Sequence, residues 1–125
     1  MQDSQNTILP DHQDRLADQF KHITYLINND KLDAAAESML DLHHADLADF
    51  LDSANPKIYH IILPAIADKL HPETIVCLSD GNKQRVIEAL GINKSAGLIN
   101  ELDIEDSIEV IDALDQSLKE SLIAK

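Results

Sequence analysis

Apolar residues in the second half of the chain recur every twelve positions: Leu78, Leu90, Leu102 and Leu114 mark the interval. Cut after each leucine, the segments SDGNKQRVIEAL, GINKSAGLINEL and DIEDSIEVIDAL align. Val86, Leu98 and Val110 then fall eighth, and Ile87, Ile99 and Ile111 ninth. The eighth and twelfth positions are i and i+4, so these side chains share one face of a helix. The first four positions hold the breakers: Asp80-Gly81, which reads as a turn, Gly91 with Asn93, and Asp103. DSANPKIYHIIL, between Leu51 and Leu63, fits a similar frame with Asn55-Pro56 as its turn, Tyr59 eighth and Leu63 twelfth. Each unit predicts a tight turn plus about two helical turns. Such a helix is too short to persist in water and must stack on its neighbours. The predicted fold is an all-α solenoid of short helices.

The first half predicts further helices one by one. From Asp11, Leu16, Phe20, Ile23 and Ile27 form a helical stripe that stops at Asn28-Asn29-Asp30, with Asp11 and Asp14 suiting the helix dipole in the first turn. Asp30 is placed to cap a second helix whose inner face is Leu32, Ala35, Ala36, Met39 and Leu40. ADLADFLD is a third, burying Leu47, Phe50 and Leu51. Asn55 caps a fourth with Pro56 at its first position, burying Ile58, Tyr59, Ile62 and Leu63. Pro64 removes a backbone hydrogen bond and predicts a break or kink. A short piece runs to Leu70, then His71-Pro72 restarts a helix with Ile75, Val76 and Leu78, and Leu118, Leu122 and Ile123 form a last stripe. LHHADLADFL and LHPETIVCL echo one another: both open Leu-His, carry an acid shortly after, and then run apolar.

Composition agrees with this reading. At 125 residues and 44% apolar content the chain is one domain with a continuous core. Its only aromatics, Phe20, Tyr25, Phe50 and Tyr59, leave that core to Leu, Ile and Ala. Three glycines and four prolines without β-branched alternation favour all-α. Residues 1–10 are polar and predicted loose, so the folded domain is 11–125. The lone Cys77 excludes an internal disulfide and, among Ile75, Val76 and Leu78, is expected to be a buried inert thiol. There is no signal peptide and no apolar run near the ~18 residues of a membrane span. SLKESLIAK stops with its helical pattern still running, as expected of a piece of a longer protein.

The formal charge of −13 argues against nucleic acid or anionic lipid as a direct partner and suits a cation or a basic surface. Six histidines offer no His-x-x-x-His spacing, and His43-His44, being adjacent, are expected on different sides of a helix. His71 is placed as a cap and His60 as a partly exposed helix residue. No nucleophile elbow or glycine-rich phosphate loop is present, so an enzyme is not expected. The acids are more informative. Glu101, Asp103, Glu105, Asp106, Glu109, Asp112 and Asp115 run without a Lys or Arg among them. Glu105 and Glu109 are i, i+4 and Asp106 and Glu109 i, i+3, a repulsive spacing that a divalent cation relieves. Mg²⁺ suits such a face, since it keeps most of its waters and needs only one or two carboxylates. The alternative is a solvated face whose first acids favour the helix dipole.

Leu42-His-His-Ala-Asp-Leu-Ala-Asp-Phe-Leu51 resembles the Leu-His-Pro-x-Asp-Leu-Ala signature of the cytosolic N-terminal domain of MgtE-type magnesium transporters. DKLDAAAESMLDL before it, Leu63-Pro64, LHPETIVCL and LDIEDSIEVIDAL follow that domain's order, from about Asp30 to Leu114. The resemblance implies a right-handed superhelix of short helices, followed in the whole protein by CBS domains and a membrane-embedded pore in a homodimer. It places the domain on the cytoplasmic face of the membrane, where Mg²⁺ bridges acidic faces of the N and CBS domains and favours the closed state. Carried over residue by residue, the cation ligands are Glu105, Asp106 and Glu109. The family acid after the Leu-Pro pair falls near Ala65 or Ala67 here, with Asp68 as substitute, and His44 replaces the customary proline. The alternative is an interaction scaffold with no ion role, resembling the flagellar motor switch middle domain through its His71-Pro72-Glu73-Thr74-Ile75 run.

Overall fold

The computed structural model describes residues 12–124, which are helical with short connections and no strand. The helices are α1 (His12–Asn28), α2 (Leu32–Leu40), α3 (His44–Ser53), α4 (Tyr59–Ile66), α5 (Glu73–Cys77), α6 (Asp80–Leu90), α7 (Ile92–Asn100), α8 (Ile104–Asp112) and α9 (Gln116–Ile123). 3-10 turns at Pro56–Ile58 and Ala67–Lys69 flank α4. The segment 1–10 predicted loose, and Asp11, lie outside the described residues.

The twelve-residue interval extends far beyond the stretch where leucines announce it. N-caps fall at Lys31, His43, Asn55, Ser79, Gly91, Asp103 and Asp115, spaced by 12 with one double step of 24. With the cap as position 1, Met39, Leu51, Leu63, Ile75, Ile87 and Ile99 all occupy position 9, and all are buried. This corrects the sequence register around residue 59. Ile62, Leu63 and Ile66, rather than Tyr59 and Leu63, occupy positions 8, 9 and 12 there.

Position 5 carries a tie between consecutive units. The Tyr59 hydroxyl donates to the Leu51 carbonyl, Ser95 Oγ to the Ile87 carbonyl at 3.3 Å, and Ser107 Oγ to the Ile99 carbonyl at 3.3 Å. In each case a position-5 hydroxyl meets the position-9 carbonyl of the preceding unit. Packing then runs in two rows, with α2 against α4, α4 against α6 and α7 against α9 in one, and α3 against α5 and α5 against α8 in the other. One apolar core passes through both.

Several local expectations change. Asp30 does not open the second helix; it closes the first, in the left-handed region at φ 60. Lys31 N–H bonds to Leu26 O at 2.8 Å and Asp30 N–H to Ile27 O at 3.2 Å, the six-to-one and five-to-two pair of a Schellman ending. Pro64 sits inside α4, which runs on to Ile66 because Ile62, Leu63 and Ile66 stay buried on its inner face. The chain then tightens into the 3-10 turn, so the break comes three residues later than expected. Asp80-Gly81 is the first turn of α6. The cap of α6 comes from another helix: Asp52 on α3 accepts from Ser79 N at 3.2 Å, Ser79 Oγ at 3.0 Å and Asn82 Nδ2 at 2.8 Å. Gly91, at φ 91, joins α6 to α7 in a conformation that only glycine adopts without strain. Ile123 faces solvent rather than ending the apolar stripe.

Val110 is fully buried at position 8, so Val110→Asp places an unpaired charge in the core and is expected to remove several kcal/mol, about 3 or more. A melting temperature within a degree or two of the parent would refute the register. Asp52→Ala should cost about 1–2 kcal/mol, the range of a lost helix cap, read as a lower urea midpoint with an unchanged slope. An unchanged midpoint would show that the cross-helix cap is not used.

Candidate functional site

The seven carboxylates between Glu101 and Asp115 separate by role. Asp103 and Asp115 are caps, accepting from Asp106 N and Leu118 N, each at 2.9 Å. Gln84 binds Asp115 reciprocally, donating to Oδ2 at 2.9 Å and accepting from its N–H at 2.8 Å, which ties α6 to the start of α9. Glu109 lies 3.9 Å from Lys83 Nζ. Glu101, Glu105 and Asp112 are exposed and Asp106 is half-buried.

Asp106 stands in the first turn of α8, which packs on α5, and meets a carboxylate that sequence reasoning did not select. This is Glu73, in the first turn of α5. Partial burial pushes the Glu73 pKa up first. The Asp106 charge and hydrogen bonding to Asp106 follow, then Asp103, with His71 opposing. Two acids on different helices therefore share one location. Asp68, the substitute for the acid looked for after Leu63-Pro64, pairs with Lys94 Nζ at 2.5 Å and its carboxyl is held below its ordinary range by that bond. Asp68 instead lines an open cavity of about 370 Å³ with Lys94 and Glu101. The signal for Glu73 lay in the LHHADL/LHPETI echo, which puts an acid just inside each helix start.

Lys83 was also missed. It is 3% exposed in a chain of net charge −13. Its ammonium donates to the Leu78 carbonyl at 2.7 Å and to Asp80 at 3.3 Å, with Glu109 beyond. Burying an ammonium requires such partners, so Lys83 binds the α8 face to α6 and supplies a fixed positive charge at one end of it. Among the described residues, no three His, Cys, Asp or Glu side chains converge closely enough to hold a metal ion as a closed protein cage. The donors fit a hard, hydrated cation at most, held through one or two carboxylate oxygens.

The histidines and the thiol differ from expectation. His43 and His44 do not diverge; their ring centroids are 4.0 Å apart, because His43 is the cap and lies outside the helix that His44 begins. His71 does cap α5, its Nδ1 accepting from Glu73 N at 3.1 Å, and His60 is exposed. Cys77 is exposed rather than buried. Its thiol is nevertheless pushed up, by partial desolvation and then by the charges of Glu73 and Asp49, which disfavours the reactive thiolate.

The chain is thus an all-α domain of capped short helices with an acid-rich face where α5 meets α8. Residues 42–125 match the family described as the MgtE intracellular N domain, and the chain belongs to that family. The match marks the N-terminal domain of a magnesium transporter and begins at Leu42, leaving α1 and α2 outside it. No curated protein and no solved structure matches the chain. No helix among the described residues is long and apolar enough to cross a membrane.

Glu105→Gln combined with Glu109→Gln should leave far-UV circular dichroism unchanged, since both carboxylates are exposed and the buried Lys83 ammonium keeps the Leu78 carbonyl and Asp80 as partners. A large loss of helicity would show that these carboxylates hold α8 in place.

Proposed function

We propose that this domain senses intracellular Mg²⁺ at its α8 face and regulates a magnesium-transporting pore by favouring its closed state. The observation that carries this reading is the apposition of Glu73 and Asp106 across α5 and α8. The folded pKa of Glu73 lies above its ordinary 4.5. The carboxyl therefore favours folding below that pH, and its ionisation opposes folding as pH rises through the folded pKa. Where both carboxylates are ionised they repel, and a divalent cation at Asp106, with Glu105 and Glu109 beside it, would relieve that repulsion. Lys83 already occupies part of the Glu109 carboxylate, so Asp106 is the favoured ligand of the three.

In this reading the facing ligands come from CBS domains of the same chain, in a homodimer at the cytoplasmic side of a membrane, and the short helices wind as a right-handed superhelix. Ile104 and Ile108, on the outer side of α8 and 78% and 52% exposed, support a face that another domain covers. The same pair favours a second reading, in which α8 is a protein-docking surface with no ion role.

The test is a titration of the chain with millimolar Mg²⁺ followed by amide NMR. The expected result is a shift confined to Glu73 and the first turn of α8, abolished by Asp106→Asn and not reproduced by NaCl of equal ionic strength. Identical responses to Mg²⁺ and NaCl would remove the sensor and leave the docking surface.

A further inference from the structure

We propose that His44 is a proton-sensitive clasp between the N-terminal ends of α3 and α5, closed while its ring is neutral and loosened by acid. This goes beyond the cation reading, whose Glu73 adjoins the stack at His71.

His43, just before α3, accepts from Ala45 N at 3.1 Å through Nδ1, as His71 does from Glu73 N at 3.1 Å. Through these bonds the Nδ1 edge of each outer ring faces the start of its own helix. The His44 ring lies between them, 4.0 Å from His43 at an interplanar angle of 35° and 4.7 Å from His71 at 18°. The three rings join two helix starts that are 28 residues apart in sequence (71 minus 43), and α3 and α5 pack directly on one another. They edge a cavity of about 340 Å³ lined also by Leu40, Leu47, Lys69 and Thr74.

A proton on His44 meets opposition from several sides. It lies between two other imidazoles, at the positive end of the α3 dipole, with Lys69 lining the same cavity. The acids carried by the surrounding elements, Asp46 on α3, Asp41 at the end of α2 and Glu73 on α5 next to Asp103 and Asp106 of α8, do not offset this. Opposition prevails. Burial first, then His43, then His71, hold the His44 pKa below its ordinary 6.5. The folded state therefore binds this proton less tightly than the unfolded chain. The stack contributes in full above pH 6.5 and is lost as pH falls through the folded pKa. The stacked rings do not form a chelating set with other ligands among the described residues, which separates this cluster from a metal centre.

The test compares the full 125-residue chain with His44→Phe, which keeps a central ring and removes its titration. From about pH 7.5 to about pH 5, the range in which histidine changes charge, the urea midpoint of the parent should fall more steeply than that of His44→Phe. The His44 ring resonances of the parent, which need no variant, should titrate below 6.5. Titration of His44 at or above 6.5, or parallel loss of midpoint in the two proteins, would overturn the proposal.

Discussion

Everything in this fold depends on helices that are too short to stand alone. From α2 onward they span 5 to 11 residues, below the ~12–15 at which an isolated helix becomes marginal in water. Each must bury its inner face on neighbours before it is stable, and the neighbours face the same requirement. The position-5 hydroxyl tie resolves the polar side of that constraint. Tyr59, Ser95 and Ser107 each deliver a donor to a carbonyl of the preceding unit. The tie sets the spacing of adjacent units, which apolar packing alone leaves free to slide.

Much of this was legible because the period is written twice, in core residues and in breakers. The four leucines and the apolar pairs before them gave the register of α6 to α9. What stayed hidden was the continuation of the same frame back to Lys31. There the position-12 residue is Leu42, Ala54 or Ile66, and buried Ile62, Leu63 and Ile66 carry one helix past Pro64 and the expected turn. Side chains acting across helices were also invisible. Asp52 caps a helix that begins 27 residues later in the chain, counting to Ser79, and no local pattern marks it. Lys83 reads as a surface lysine of an amphipathic helix until its ammonium is found on the Leu78 carbonyl. The acidic stretch of the candidate site was plain, whereas its partner Glu73 was not, because that apposition depends on α5 packing against α8.

Charge is distributed with the same economy. With 23 acids against 10 Lys and Arg, repulsion is the default, and most contacts in the second half limit it. Asp103 and Asp115 face helix N-termini, Asp52 faces three donors of the α6 cap, Asp68 faces Lys94, and Glu109 faces Lys83. Glu73 and Asp106 are the exception, since each brings a negative charge towards the other. A structure that pairs its acids this widely leaves that apposition as its most informative electrostatic feature.

That exception coincides with the one irregular unit. Between residues 67 and 78 the frame keeps its buried positions, Thr74, Ile75 and Leu78, but loses its cap, and α5 shrinks to five residues. Position 5, from Ala35 to Ser107 otherwise apolar or tied inward, is the exposed His71, and the Thr74 hydroxyl is buried with no hydrogen-bond partner among the described residues. A unit so shortened has less of its own core holding it and relies more on what meets its first turn: the histidine stack through His71 and the α8 acids through Glu73. Local rules are broken where a fold accepts a cost for something other than stability. Here the breaks gather on α5, which packs both on α3, the helix of His44, and on α8, the helix of Asp106. The regular units on either side provide the rigid frame against which so short a helix can respond.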